Sequence, residues 1–168
     1  MYTRTAPGLG ELLRHLSELV DQGAEARYRA LRLDYRARYT PVMRAIAAGA
    51  HTVTDITAVT RLTQGAVSQT VGLMVADGLL VKRPMVDARK TAVRLTPRGR
   101  ALLKKLEPHW RVTFEAIAAL EAEIGHPLRE VLDAAATALE RKGFAERLRS
   151  AALAGTDSAH PQEHADDE

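Results

Sequence analysis

Residues 52–100 read TVTDITAVTRLTQGAVSQTVGLMVADGLLVKRPMVDARKTAVRLTPRGR, and the punctuation in this stretch decides the fold. Thr52 with Asp55 three residues later has the form of a capping box, which opens a helix through about Thr60. Thr63 caps a second helix in which Val67, Val71, Met74 and Val75 line one face, and Gly78 stands where a left-handed C-terminal residue is wanted. A turn of about three residues separates the two. Leu79-Leu80-Val81-Lys82-Arg83 and Thr91-Ala92-Val93-Arg94-Leu95 then read as strands, and the polar Pro84–Lys90 between them is the tip of a hairpin. Thr96-Pro97 supplies an N-cap followed by proline at the first helical position, so a helix follows the hairpin.

Two short helices around a tight turn, a hairpin and a proline-started helix occur in the order of a winged helix-turn-helix, whose second helix fits a DNA major groove. Helices extend this unit on both sides. Leu9, Leu12, Leu13, Leu16, Leu19 and Val20 recur at three and four, predicting a helix from Leu9 to about Leu31. Thr40-Pro41 opens a short helix with Val42, Met43 and Ile46 on one face, stopped at Gly49. The helix from Pro97 reaches about Ile124, with Pro108 bending or breaking it, and a last helix covers about Leu128–Ser150. The expected organisation is mainly α with a small β-wing: a flexible arm over residues 1–8, one domain over 9–150, and a disordered acidic tail over 151–168. Within that domain residues 40–105 form the winged helix-turn-helix, and residues 9–38 and 108–150 form flanking helices.

Composition narrows the function. The 168 residues include no cysteine, which excludes a disulfide scaffold, a thiolate nucleophile and a cysteine-type zinc site. No run approaches the ~20 apolar residues of a membrane span and no secretory apolar region follows Met1, so a cytoplasmic protein is expected. Neither a P-loop nor a His-Glu-x-x-His site is present, and Gly65, Gly72 and Gly78 make no dinucleotide fingerprint. His160 and His164 are four apart, but in an acidic tail they read as solvated side chains. The expectation is a non-enzyme with no cofactor and no metal. Charge points to a polyanion: residues 27–105 hold 16 basic and 4 acidic side chains, a net +12, whereas residues 151–168 hold five acids and no base. Aromatics are 4%, which favours duplex binding over base stacking on single strands.

Within the winged unit the charge is uneven. Lys82, Arg83, Arg89, Lys90, Arg94, Arg98, Arg100, Lys104 and Lys105 face Asp87 alone between residues 79 and 105, while the helix from Thr63 to Gly78 has no Lys or Arg. Its outward side chains are Gln64, Ser68, Gln69 and Thr70, which can donate and accept at base edges, glutamine being suited to adenine. The expected division of labour has the wing hold phosphates while the helix reads bases. The candidate contact set is Thr54, Thr63, Gln64, Gly65, Ala66, Ser68, Gln69 and Thr70, with Arg83, Arg89 and Lys90 on the hairpin. A polar outer face also suits a helix with no ligand, and a protein-binding winged helix without DNA affinity is the alternative reading.

Thr52-Val53-Thr54-Asp55-Ile56, Ala66-Val67-Ser68-Gln69, Asp77-Gly78-Leu79-Leu80 and, above all, Asp87-Ala88-Arg89-Lys90 followed by Val93-Arg94-Leu95-Thr96-Pro97-Arg98-Gly99-Arg100 resemble the MarR family of bacterial transcription regulators. The likeness covers residues 9–150. Leu106-Glu107-Pro108-His109-Trp110 and Gly143-Phe144-Ala145-Glu146-Arg147 look closest to the regulator halves of MarR proteins fused to an acetyltransferase, a domain for which the 18-residue tail has no room. This chain departs from the family's usual pattern at Thr60 and Arg61, where a leucine and a glycine are common, and at Leu73, where an arginine commonly pairs with the wing aspartate. The resemblance implies a homodimeric regulator, most often a repressor, and gives Arg89 the minor-groove or phosphate contact. Leu9, Leu12, Leu13 and Leu16 with Leu139, Phe144 and Leu148 are the expected dimer interface, supplying more apolar surface than a winged-helix core requires. Tyr28, Tyr35, Tyr39 and Met43 with His109, Trp110 and Phe114 are the candidate site for a small aromatic or phenolic effector, although core packing accounts for the same residues.

Overall fold

The structure is a computed structural model that describes residues 6–85 and 91–157. In chain order it forms α1 (Leu9–Ala30), a 3-10 turn (Ala37–Tyr39), α2 (Thr40–Ala47), α3 (Val53–Val59), α4 (Gln64–Ala76), β1 (Leu80–Pro84), β2 (Thr91–Leu95), α5 (Pro97–Ile124), α6 (Leu128–Arg141) and α7 (Phe144–Asp157). The chain divides into two compact units, residues 1–110 and 111–168.

In the first unit, α2, α3, α4 and the hairpin enclose a core of Val42, Met43, Ile56, Val67, Val71, Met74, Leu79, Leu80 and Val93, joined by Leu106 of α5. The second half of α1 belongs to this core through Tyr28, although residues 9–38 read in the sequence as a flank. The capping box closes as expected: Asp55 N donates to Thr52 Oγ1 at 3.1 Å and Thr52 N donates to Asp55 Oδ2 at 2.9 Å. His51 N also donates to that carboxylate, and these amide donors hold the Asp55 carboxyl below its usual range. At α2, Tyr39 is the N-cap and Thr40 already lies within the helix.

The antiparallel hairpin pairs Leu80 with Leu95 and runs out to Pro84 opposite Thr91. Pro84 therefore belongs to the first strand rather than the tip, which an edge strand permits because proline's missing donor can face away from the ladder. A further bridge joins Thr52 to Ala92, and Val93 N donates to His51 O at 2.7 Å, so β2 also clamps the entry to α3.

The start of α5 shows what the Leu-Thr-Pro-x-Gly-Arg motif does. Thr96 N donates to Leu79 O at 3.0 Å, Thr96 Oγ1 donates to Gly78 O at 2.7 Å, and the same hydroxyl accepts from Gly99 N at 2.9 Å. Gly99 lies so close to the preceding turn that a Cβ there would stand 2.1 Å from Leu79 O. The Arg100 guanidinium donates to Leu95 O at 2.8 Å. The motif is a joint between the end of α4, the wing and α5.

The second unit has a different character: among its described residues none is fully buried. Gly125, with φ +70, ends α5 in the left-handed region. The helix expected over 128–150 is two helices. Lys142 is extended, and the Arg147 guanidinium donates to the carbonyl of Lys142 and to that of Ala138, which also accepts from Lys142 N. The last helix in turn runs through Asp157, seven residues into the stretch read as a disordered tail, because Ala151, Ala152, Leu153 and Ala154 are strong helix formers. Pro108 sits inside α5 and does not end it.

Candidate nucleic-acid interface

The α3–α4 turn is built without glycine. Thr60 is extended and its hydroxyl donates to Ile56 O at 2.9 Å, closing a carbonyl at the end of α3. Arg32 is the sole described non-glycine residue with positive φ, so Arg61 turns the corner in a conformation open to any side chain. The departure from glycine at this point costs the motif nothing.

Thr63 starts α4 by accepting from Ala66 N at 3.2 Å. Val67, Val71 and Met74 anchor the helix to the core, and Gly78, with φ +69, terminates it. Anchoring that face turns the other outward. Gln64, Gly65, Ser68 and Gln69 are exposed and Ala66 and Thr70 are half-buried; the cap Thr63 is exposed, and so is Thr54 on α3. Eight of the eleven residues expected to contact DNA therefore lie on one helix-turn-helix. On the wing Arg83 is exposed, as are Lys82 and Arg94. Arg89, Lys90 and Asp87 lie outside the described residues.

Two of the cations read as phosphate ligands have other employment. Arg98 donates to Asp77 O at 2.9 Å and to Asp34 Oδ2 at 2.6 Å, and Arg100 holds Leu95 O. The basic stretch over 79–105 therefore splits into exposed wing cations and joint-forming arginines. Sequence reasoning also misses Asp77 and Tyr39 as a pair. Tyr39 is buried, and its hydroxyl donates to Asp77 Oδ2 at 2.7 Å while Arg36 stands 3.6 Å from the same oxygen. Burial first, then the bond to Asp77, raises the Tyr39 hydroxyl pKa. No spacing rule links positions 39 and 77.

The residues named for an effector are partly brought together. Tyr28 packs edge-on against Tyr35 at 5.1 Å between ring centroids and against His109 at 5.2 Å, and Tyr35 meets Tyr39 at 6.0 Å. With Met43 these rings are buried in the first unit's core, and Trp110 packs against it. Trp110 Nε1 is buried with no hydrogen-bond acceptor among the described residues. Phe114 falls in the second unit, where the Arg129 guanidinium lies over its ring at 5.2 Å. Among the described residues no group of three or more His, Asp or Glu could hold a metal, and no helix is long and apolar enough to cross a membrane.

A groove-sized helix on a helix-turn-helix, flanked by a cationic antiparallel hairpin, defines a winged helix-turn-helix of the DNA-binding kind. Known proteins point the same way. Residues 34–90 match the family model described as MarR family. Among solved structures, the M. tuberculosis transcriptional regulator MOSR in complex with DNA has a TM-score of 0.66 at 21% identity, over 82% of this chain and 100% of that one. The MarR family transcriptional regulator SPO1453 from Silicibacter pomeroyi has a TM-score of 0.59 at 26% identity, over 82% of this chain and 99% of that one. BpsR of Bordetella bronchiseptica, whose DNA binding is regulated by 6-hydroxynicotinic acid, has a TM-score of 0.56 at 24% identity, over 77% and 98%. No curated protein matches the sequence. Residues 34–90 therefore resemble the MarR family's winged helix-turn-helix, and the chain shares the fold of these structures.

Proposed function

We propose that the protein is a cytoplasmic, sequence-specific repressor that binds a pseudo-palindromic operator as a homodimer. The observation that carries this reading is the Thr63-capped α4, which turns Gln64, Ser68 and Gln69 outward beside a wing bearing exposed Lys82, Arg83 and Arg94. Neutral hydrogen-bonding groups on the helix discriminate bases, and cations on the wing supply salt-dependent affinity. Arg89 and Lys90 add to that charge in the sequence between the two strands.

Dimerisation is supported by apolar faces left open in both units. On α1, Leu9, Leu12 and Leu13 are exposed and Leu16 is half-buried; Leu139 on α6 and Phe144 and Leu148 on α7 are exposed as well. Helices that amphipathic need a covering surface, and a second copy provides one with two-fold symmetry. Two-fold symmetry in turn sets half-sites one helical turn apart, ~34 Å. Selection from random duplexes should return an inverted repeat with that spacing, and sedimentation at micromolar concentration should give a dimer; a monomer, or no repeat, refutes the proposal.

Release by a small aromatic acid is the finer part of the reading. Its support is the unsatisfied Trp110 Nε1, a donor suited to an oxygen ligand, next to a packed ring cluster. The structurally similar BpsR, regulated by 6-hydroxynicotinic acid, makes that ligand class the first to try. Because Tyr28, Tyr35 and Tyr39 fill the core, a ligand here must displace side chains, and phenolic and aromatic acids should be screened for operator release. The second reading, a protein-binding winged helix, draws on the absence of Lys and Arg from α4. Retention on nonspecific duplex that weakens steeply with salt separates the two.

A further inference from the structure

We propose that Tyr39 and Asp77 are positioning residues for base readout, fixing the recognition helix α4 from the end that does not touch bases. The proposal rests on the DNA-binding reading above. Most recognition helices can be steadied by their own contacts to phosphates, but α4 carries no cation. Its base-facing groups are short and neutral, so their alignment depends on how firmly the protein holds the helix.

Beyond the core contacts of Val67, Val71 and Met74, the polar hold on α4 is at its C-cap, Asp77. Its carboxylate accepts the Tyr39 hydroxyl at 2.7 Å and has Arg36 at 3.6 Å, and its carbonyl accepts Arg98, which reaches on to Asp34. Three segments therefore meet at one residue: the turn before α2, the end of α4 and the start of α5. The Tyr39 ring is 1% exposed, wedged edge-on against Tyr35, with the guanidinium carbons of Arg36 and Arg38 5.8 and 6.0 Å from its centroid. Its hydroxyl is thus delivered from a fixed base. A carboxylate at a helix C-terminus opposes the helix dipole, so Asp77 is a poor choice for stabilising α4 by itself. Its placement makes sense as an acceptor for these partners.

Gln69 lies eight residues before Asp77, roughly 12 Å along the axis. A tilt of about 5° about the anchored end moves its carboxamide by ~1 Å, enough to spoil a bidentate pair whose bonds tolerate only a few tenths of an ångström. Phosphate contacts made by the wing do not depend on that tilt. The anchor should therefore govern discrimination between sequences and leave nonspecific affinity alone.

The test measures dissociation constants for a duplex selected from a random pool and for its scrambled version, at two salt concentrations, on the full-length wild type, Tyr39→Phe, Asp77→Ala and Asp77→Asn. Tyr39→Phe and Asp77→Ala should lower the selected-to-scrambled affinity ratio roughly tenfold, the scale of one bidentate base contact, with scrambled binding and salt slope unchanged. Asp77→Asn keeps an acceptor for the Tyr39 hydroxyl and should retain most of the ratio. An unchanged ratio in the first two variants, equal weakening on both duplexes, or an Asp77→Asn loss as large as that of Asp77→Ala overturns the assignment. Wild-type protein that prefers no duplex would instead remove the readout itself, and the anchor with it.

Discussion

Replacing Gly99 by alanine should break the joint between α4, the wing and α5. In an ordinary helix interior glycine to alanine is worth about 1 kcal/mol of stabilisation. Here the added Cβ would stand 2.1 Å from Leu79 O and 3.1 Å from Leu95 Cδ2, and the first of these atoms is backbone that already accepts from Thr96 N. To reach ordinary contact distance, α5 must retreat by more than an ångström, and the retreat stretches the Thr96–Leu79 bond. Overpacking of this kind costs ~1–3 kcal/mol, with about another 1 for the compromised bond. Set against the helix gain, the net loss is about 2 kcal/mol, or roughly 4–8 °C in melting temperature for a chain of this size. Gly72, on the exposed face of α4, is the control: no atom lies within 4 Å of its would-be Cβ, and alanine there should raise stability by about 1 kcal/mol. Circular dichroism melts of both variants decide. A Gly99→Ala protein melting with the wild type, or a Gly72→Ala protein losing as much as Gly99→Ala, would refute the steric argument.

Gln69→Ala should relax preference at one base per half-site, a loss of ~1–3 kcal/mol of discrimination, while nonspecific binding stays nearly intact; equal losses on operator and scrambled duplex would contradict this. Arg89→Ala should weaken binding to every duplex and, with one phosphate neutralised per subunit, reduce the salt slope by about 2 for a dimer; an unaltered slope in titrations at several salt concentrations argues against the contact. His109 is held below its usual pKa of 6.5, first by burial and then by the Arg27 charge. Its unfolded state therefore binds protons first, so stability is full above about pH 6.5 and declines as pH falls toward the lower folded value. Urea titrations between pH 7.5 and 5 should show this decline in the wild type, reduced in His109→Phe; identical pH profiles for the two proteins would sink the assignment.

Local signals are the legible ones. The Thr52–Asp55 box, the Thr63 cap, the Gly78 terminator and the period-2 strands each depend on neighbours within four residues, and they place α3, α4 and the hairpin within a residue or two. Boundaries fail where the competing interaction is tertiary or cumulative. Nothing local to 128–150 announces that Arg147 will turn back onto the carbonyls of Ala138 and Lys142. The acidic count over 151–168 masks the Ala-Ala-Leu-Ala stretch at 151–154, although helix propensity is set by these residues and all five acids fall after them. The Tyr39–Asp77 bond spans 38 positions and is invisible to any local rule for the same reason.

Charge is legible as a total and misleading as a distribution. A net +12 over residues 27–105 suggests a polyanion surface, but a guanidinium has five donors and serves equally well to satisfy carbonyls. Arg98 does that work on the Asp77 carbonyl and Arg100 on the Leu95 carbonyl, at the base of the wing. Their exposure does not make them phosphate ligands, since moving toward DNA would mean abandoning the joint that aims the hairpin. Among the described residues, the exposed cations of the strands are Lys82, Arg83 and Arg94. On the proposed reading affinity falls to the hairpin and discrimination to the cation-free helix, so the two should be separable: a substitution on the strands should change how tightly any duplex is held, and one on α4 or at Asp77 should change which duplex is preferred.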